Sequence, residues 1–289
     1  MSVSTGEFKT DAIGQFGDPD EFVVERDRIK AYAEATNDPF EVHRSGDVAP
    51  PVFAVVPAFG ALAEKSTGVI PPDALMMVLH GEQDFHFHQP IRPDTTLVTR
   101  AVALGVQPRR SGVTVNVKGE TRDKETDELI VEQYMISFVR GQQVDEGAGE
   151  EPLDHAFDDT LRERNPEAEI SQTYDEDQTF RYAEAAGDPM PIHLDDEIAK
   201  AMGFPGIIIH GLCTMAFTSQ AAIQHACPDD PTRLKRLAVR FSKIALPGQT
   251  ITTRIWNAGQ RDGRGAYAYE TTSDNGDVVI KDGLAEVAR

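Results

Sequence analysis

Two twelve-residue stretches constrain what this chain can become. YAEATNDPFEVH runs from Tyr32 to His43, and YAEAAGDPMPIH runs from Tyr182 to His193. They lie 150 positions apart and agree at seven positions, including the Asp, the Pro and the His. The match is not confined to one motif. HFHQPIRPDTT (His86 to Thr96) recurs as RFSKIALPGQT (Arg240 to Thr250) at an offset of 154, with Phe87 on Phe241, Pro93 on Pro247 and Thr96 on Thr250. At that offset Pro51 meets Pro205, so the second copy has gained four residues between His193 and Pro205. An internal repeat that keeps its order over this distance is a duplicated domain.

Each copy reads alike. A short helix comes first, DRIKAYAEAT or DQTFRYAEAA, with an Asp (Asp27 or Asp177) expected at its N-cap. A loop carrying Asp, Pro and His follows, then an apolar helix. In the second copy that helix, HGLCTMAFTSQAAIQHA, is apolar nearly all round and is expected to be buried. Strand-like runs complete each copy, their alternation and Gly, Asp and Asn turns predicting an antiparallel sheet. The fold class is therefore α+β, one buried helix wrapped by a sheet in each half. The boundaries predicted are an N-terminal domain over 1–140, an acidic and partly mobile linker over 141–169, and a C-terminal domain over 170–289.

Composition narrows the partners. The formal net charge is -20, which argues against nucleic acid and anionic lipid. No run of eighteen apolar residues predicts a membrane span, and MSVSTGEFKTDAIG lacks the apolar core of a signal peptide. Only Cys213 and Cys227 are present, with no CxxC, which suits a reducing, cytoplasmic setting.

The chemistry concentrates in AAGDPMPIHLDDEIAKAMGFPGIIIHGLCT. Gly187 is placed to end the first helix. Asp188 and His193 then share a loop stiffened by Pro189 and Pro191, as an acid–base pair requires. Gly211 opens the apolar helix, whose first N–H groups have no partner within it and form an oxyanion pocket for a polarised carbonyl. His210 reads as a core or supporting residue, Tyr182 as a packing residue and Cys213 as a small core residue. His80, His86 and His88 raise the idea of a metal, but Arg240 and Ser242 stand at the positions matching His86 and His88, and no metal site is assigned. Arg109 and Arg110, and Arg261 and Arg264, occupy corresponding hairpins and are the candidates for holding coenzyme A phosphates, beside the simpler reading of solvated turn charges.

Tyr182, Gly187-Asp188, Pro191-Ile192-His193 and His210-Gly211 together resemble the signature of the MaoC-like dehydratases, the (R)-specific enoyl-CoA hydratase (hydratase 2) group, and LPGQT resembles that family's later strand–turn motif. With the duplication, the likeness covers nearly the whole chain. It implies a double hot-dog fold and a hydro-lyase of fatty-acid metabolism that adds water reversibly to trans-2-enoyl-CoA, giving the (R)-3-hydroxyacyl thioester. It implies that Asp188 and His193 handle water and proton, that the Gly211 amide binds the thioester oxygen, and that no metal or redox cofactor takes part, coenzyme A entering only as part of the substrate. The sequence departs from the pattern at Met190, where the family has Asn. A hot-dog thioesterase and a catalytically silent acyl-CoA-binding subunit are the alternatives, and a homodimer is allowed. In the first copy Asp38 and His43 are kept, but Val56 and Pro57 stand for His210 and Gly211, and Asn37 for Gly187. Proline has no N–H, so this half is expected to be sound in structure and degenerate in catalysis.

Overall fold

The structure, a computed structural model, describes residues 6–289. In chain order its strands are β1 (Asp20–Val24), β2 (Val78–Phe87), β3 (Thr95–Arg109), β4 (Gly112–Asp123), β5 (Leu129–Arg140), β6 (Ala148–Gly149), β7 (Ala168–Thr173), β8 (Leu234–Phe241), β9 (Thr250–Arg261), β10 (Arg264–Ser273) and β11 (Val278–Val287). Its α-helices are α1 (Arg26–Ala35), α2 (Glu41–Arg44), α3 (Phe59–Val69), α4 (Gln178–Ala186), α5 (Asp196–Ala201) and α6 (Gly211–Ala226).

The chain divides into two compact units, and these do not follow the sequence boundaries at 140 and 170. One takes the residues up to Val23, Pro57–Gln89 and Thr96–Asp154, and the other takes Val24–Val56, Pro90–Thr95 and His155–Arg289. In the first unit the strand order is β1-β3-β4-β5-β2, with β6 paired to β3. In the second it is β7-β9-β10-β11-β8, the same order. The duplication seen in sequence is thus a duplication of topology.

In the first unit α3 lays Ala61, Leu62 and Val69 against Val113, Val115 and Val117 of β4 and Met135 and Val139 of β5. In the second unit every residue of α6 from Leu212 to Ile223 is buried, as its all-round apolar pattern predicts. The few polar side chains on α6 are satisfied. Thr218 and Ser219 donate to the carbonyls of Met215 and Ala216 (2.9 and 2.7 Å), and Tyr174 donates to Thr214 (3.0 Å).

Physical chemistry explains why Val24–Val56 belongs with the C-terminal half. The last carbonyls of a helix lack intrahelical partners. For α1 they are taken by side chains from that half. Arg181 donates to Glu34 O (2.9 Å), Gln178 to Ala35 O (2.6 Å) and Gln220 to Thr36 O (2.8 Å). The expected Asp N-caps are not made. The N-cap of α1 is Glu25, with Asp27 inside the first turn, and Asp177 at the N-cap of α4 bonds Arg181 (3.1 Å) instead of the helix backbone.

The acidic stretch expected to be a partly mobile linker is built onto sheet in both units: Ala148 and Gly149 pair with β3 in the first, and the residues from His155 on pack on the second sheet. His155 Nδ1 donates to Asp282 O (2.6 Å) and the Phe157 amide to Asp282 Oδ1 (3.2 Å). Asp282 itself sits at a β-bulge with φ 52°, beside Gly283, where a Cβ would lie 2.6 Å from Tyr269 O. Phe157 meets the Trp256 ring edge-on at 5.3 Å, and Leu161 is buried in the same cluster. Few apolar residues are needed when each finds a partner on the sheet. Among the described residues no helix is long and apolar enough to cross a membrane, and Cys213 and Cys227 are buried free thiols.

Candidate active site

Helix α4 ends at Gly187, whose φ of 76° is the left-handed geometry glycine adopts without strain. The Gly187 and Asp188 amides both donate back to Ala183 O (2.9 and 3.1 Å), which turns the chain sharply and projects the next residues off the helix end. The Asp188 carboxylate accepts from the Met190 amide (3.3 Å). Position 190 therefore serves through its backbone, and the Met side chain is 49% exposed. A single 3-10 turn, Pro191–His193, then aims His193 inward, leaving it 8% exposed.

His193 is held in one tautomer. Its Nδ1–H donates to Ile208 O (2.8 Å), so Nε2 carries the lone pair. The ring of His210 stacks on it, centroids 3.7 Å apart and planes inclined by 23°. His210 is fixed in turn, with Nε2–H donating to the backbone carbonyl of Asp188 (3.1 Å) and its ring packed 4.8 Å from that of Tyr182. Tyr182 is buried, its hydroxyl 3.4 Å from that of Tyr32. One polar side-chain atom each of Asp188, His193 and His210 lies within 4.8 Å of the others. Burial pushes the His193 imidazole below its ordinary pKa, against the Ile208 carbonyl and the Asp188 charge, which raise it. His210 is pushed down to about 3, by burial first and by His193 second. Both rings are neutral near pH 7.

Gly211 is the first residue of α6, directly after His210 at the N-cap. Its N–H has no acceptor within the helix. Added bulk has little room here, since a Cβ would sit 3.2 Å from the ring of Phe241. A carboxylate, a neutral imidazole with a bare nitrogen and an orphan helix amide are thus gathered on one short path of chain.

The profile of the MaoC like domain matches residues 159–278, and that of the MFE-2 hydratase 2 N-terminal domain matches 33–141. The probable enoyl-CoA hydratase 2 of Dictyostelium discoideum is 32% identical over 213 residues, covering 73% of this chain and 70% of that protein. The chain belongs to the MaoC-like dehydratase family, with hydratase 2. Among solved structures, a MaoC-like dehydratase from Phytophthora capsici matches over 97% of both chains with a TM-score of 0.81 at 24% identity. A Mycobacterium tuberculosis protein with a double hot-dog fold matches over 97% of both chains with a TM-score of 0.57 at 15% identity. The fold is the double hot-dog.

The first copy of this MaoC-like chain keeps the letters of the loop but not its wiring. Asn37 takes the left-handed position of Gly187, at φ 51°. The Phe40 amide donates to Asp38 Oδ1 (2.9 Å), matching the Met190–Asp188 bond. His43, however, turns its Nδ1–H onto Asp38 Oδ2 itself (2.9 Å), both side chains being 1% exposed. Helix α3 starts only at Phe59, after a 3-10 turn, Pro51–Val55, with Pro57 lying between the two elements.

Within the second unit the hairpin arginines Arg261 and Arg264 are at the far end of the sheet from Gly211. Register sets Gly265 opposite Val287 and Val287 opposite Leu234, so the Arg261–Arg264 hairpin lies at the Leu234 end of the sheet. Phe241, which touches Gly211, is at the other end of β8, ~23 Å away at ~3.3 Å per residue. Arg264 pairs with Glu286 (3.5 Å), and Arg261 borders a cavity of about 530 Å³ with Arg164 and His155. In the other unit Arg109 pairs with Glu151 (2.5 Å) and Arg110 is exposed. The three histidines weighed as metal ligands have separate partners, His80 with Gln83 (3.1 Å), His86 with Asp84 (3.3 Å) and His88 with Glu132 (2.9 Å). The sequence reading missed two features. The Ile208 carbonyl carries no signal, since every residue has one. The stacking of His210 was legible only as a His next to the glycine.

Proposed function

We propose that the chain catalyses the reversible hydration of trans-2-enoyl-CoA thioesters to (R)-3-hydroxyacyl-CoA, with the C-terminal half supplying the catalytic groups. The observation that carries this is the His193 ring, anchored through Nδ1 to the Ile208 carbonyl, with one ring nitrogen within 4.8 Å of an Asp188 carboxylate oxygen, and stacked on His210, the N-cap residue of α6. Asp188 and His193 bind a water and take one proton as its oxygen bonds C3. The C2=C3 electron pair moves onto the thioester, and the developing enolate oxygen is met by the Gly211 N–H, a donor already in place and needing no reorganisation. The proton held by the pair is then delivered to C2. A neutral imidazole at pH 7 is the form this cycle needs, and the depressed pKa of His193 keeps it so.

This reading includes a place in fatty-acid metabolism, as an acyl-CoA substrate implies, and cytoplasmic residence, supported by the two buried free thiols, which suit a reducing compartment. Coenzyme A enters as part of the substrate. Incubation with crotonyl-CoA tests the reading. Enoyl absorbance should fall without release of free thiol, the product should be the (R) alcohol, and His193→Ala should abolish the loss. Release of free thiol would identify a thioesterase. Binding without turnover would identify a silent acyl-CoA-binding subunit.

A further inference from the structure

We propose that His210 is a third catalytic group, whose Nδ1 accepts a hydrogen bond from the attacking water. The inference rests on the hydratase reading above and adds to it.

His210 is 1% exposed, and its Nδ1 has no hydrogen-bond partner in the protein. A buried polar atom in that state costs about 1–3 kcal/mol unless something fills it. The missing partner must be a donor. Because Nε2–H is committed to the Asp188 carbonyl (3.1 Å), Nδ1 presents a lone pair. The low pKa of His210 keeps that lone pair unprotonated at working pH.

Ring orientation separates a water from a metal ion. One polar side-chain atom each of Asp188, His193 and His210 lies within 4.8 Å of the others, a span that a water ~2.8 Å from its acceptors can bridge. The two imidazoles are stacked with planes only 23° apart, so one ion cannot lie in both ring planes near the rings. A hydrogen-bonded water tolerates that angle.

An enoyl thioester has no N–H or O–H at C1, C2 or C3, so the donor at the reacting end is the water itself. It has two O–H bonds. One proton goes to the Asp188–His193 pair and on to C2. The other stays on oxygen, bonded to His210 Nδ1, and becomes the hydroxyl proton of the product. With one O–H fixed in this way, the oxygen lone pair is aimed at C3 before the reaction starts.

Two replacements of His210 divide its two nitrogens. His210→Asn keeps an acceptor near the place of Nδ1 and loses the bond to the Asp188 carbonyl. His210→Gln keeps an N–H near the place of Nε2 and loses the acceptor. With crotonyl-CoA, the Asn variant is expected to retain kcat within about tenfold of wild type. The Gln variant is expected to lose about 100-fold in kcat with KM changed less than about threefold. The reverse order, or equal rates in the two variants, overturns the proposal and leaves His210 acting only through Asp188. Inactive wild type would instead sink the hydratase reading. A high-resolution crystal structure of the wild-type protein decides independently of folding in the variants. An ordered water ~2.8 Å from Nδ1, shared with Asp188 or His193, is expected, and its absence overturns the proposal.

Discussion

Gly211→Pro isolates the amide that the proposed chemistry needs. Gly211 is the first helical residue of α6, so its N–H has no intrahelical acceptor to lose, and proline is well tolerated at that position. The residue before it, His210, already has φ -59° and ψ 135°, the extended geometry favoured ahead of proline. Of the new ring atoms, the Cβ would lie 3.2 and 3.3 Å from two carbons of Phe241, while Cδ takes the place of the amide hydrogen. Mild overpacking of this kind costs about 1 kcal/mol. Restriction of the unfolded chain offsets it by about 0.4–1 kcal/mol, so Tm should move by no more than about 3 °C. The catalytic effect should be far larger, because loss of one oxyanion donor costs about 100- to 1000-fold in kcat. Gly211→Ala adds the same Cβ and keeps the N–H, so it reports the cost of that Cβ. Steady-state hydration of crotonyl-CoA by both variants, with thermal melting of each, gives the comparison. If folded Gly211→Pro has a kcat within threefold of Gly211→Ala, the Gly211 amide is not the donor and the assigned mechanism fails.

Three further outcomes follow from the same structure. Asp38→Asn weakens a buried pair in the first copy, and urea denaturation should show a loss of about 1–3 kcal/mol with kcat unchanged within twofold; a large fall in kcat would mean that this half takes part in catalysis. His210 has its folded-state pKa lowered to about 3, below the unfolded value of about 6.5, so the unfolded chain binds the extra proton between those values. Its contribution to stability is thus intact above about pH 6.5 and is lost as pH falls, by about 2 kcal/mol at pH 5, so the difference in melting temperature between wild type and His210→Asn should be constant above about pH 6.5 and should shift against wild type as pH falls. Phe157→Ala removes the edge-on contact with Trp256 and the stacking of Arg162 over its ring, and calorimetry should show about 3 kcal/mol of destabilisation, against none for a freely moving linker.

Sequence carried the fold far because its signals were local or repeated. The offset of the two dodecapeptides required a duplicated unit, and the unbroken apolar surface of α6 required burial. The proposed site residues Asp188, His193 and Gly211 could be singled out because residue type and short spacing define them. The rest depended on distant partners. The acidic stretch looked loose because Phe157 and Leu161 are sparse in it, yet Trp256, which receives Phe157, lies about a hundred positions on. The hairpin arginines, candidates for coenzyme A phosphates or solvated turn charges, could be located only through strand register, which puts Arg261 and Arg264 at the opposite end of β8 from Phe241. The grouping of Val24–Val56 with the C-terminal half rests on carbonyls of α1 met by Arg181, Gln178 and Gln220, which no pattern within α1 announces.

Under the proposed mechanism, the contrast between the two loops puts catalytic competence outside the repeated motif. Both copies use the Asp to hold the turn, through the Phe40 amide in one and the Met190 amide in the other. That service alone gives the Asp a structural reason to be there. What differs is the partner of the His Nδ1. In the first copy it is the carboxylate of Asp38, so imidazole and acid close on each other, out of reach of solvent. In the second it is the Ile208 carbonyl, which orients the ring while leaving the Asp188 carboxylate clear of it. His210 then steadies the same loop by its backbone, at Asp188 O, again without occupying the carboxylate. Both changes come from one segment, Ile208 to Gly211, whose counterpart at the later offset ends in Val56-Pro57. A valine has no ring nitrogen to hold a carbonyl, and a proline has no amide to meet an oxyanion. The acid therefore holds the turn in both halves, and under the proposed mechanism the pair is reactive only where the neighbouring helix start takes over the work of positioning it.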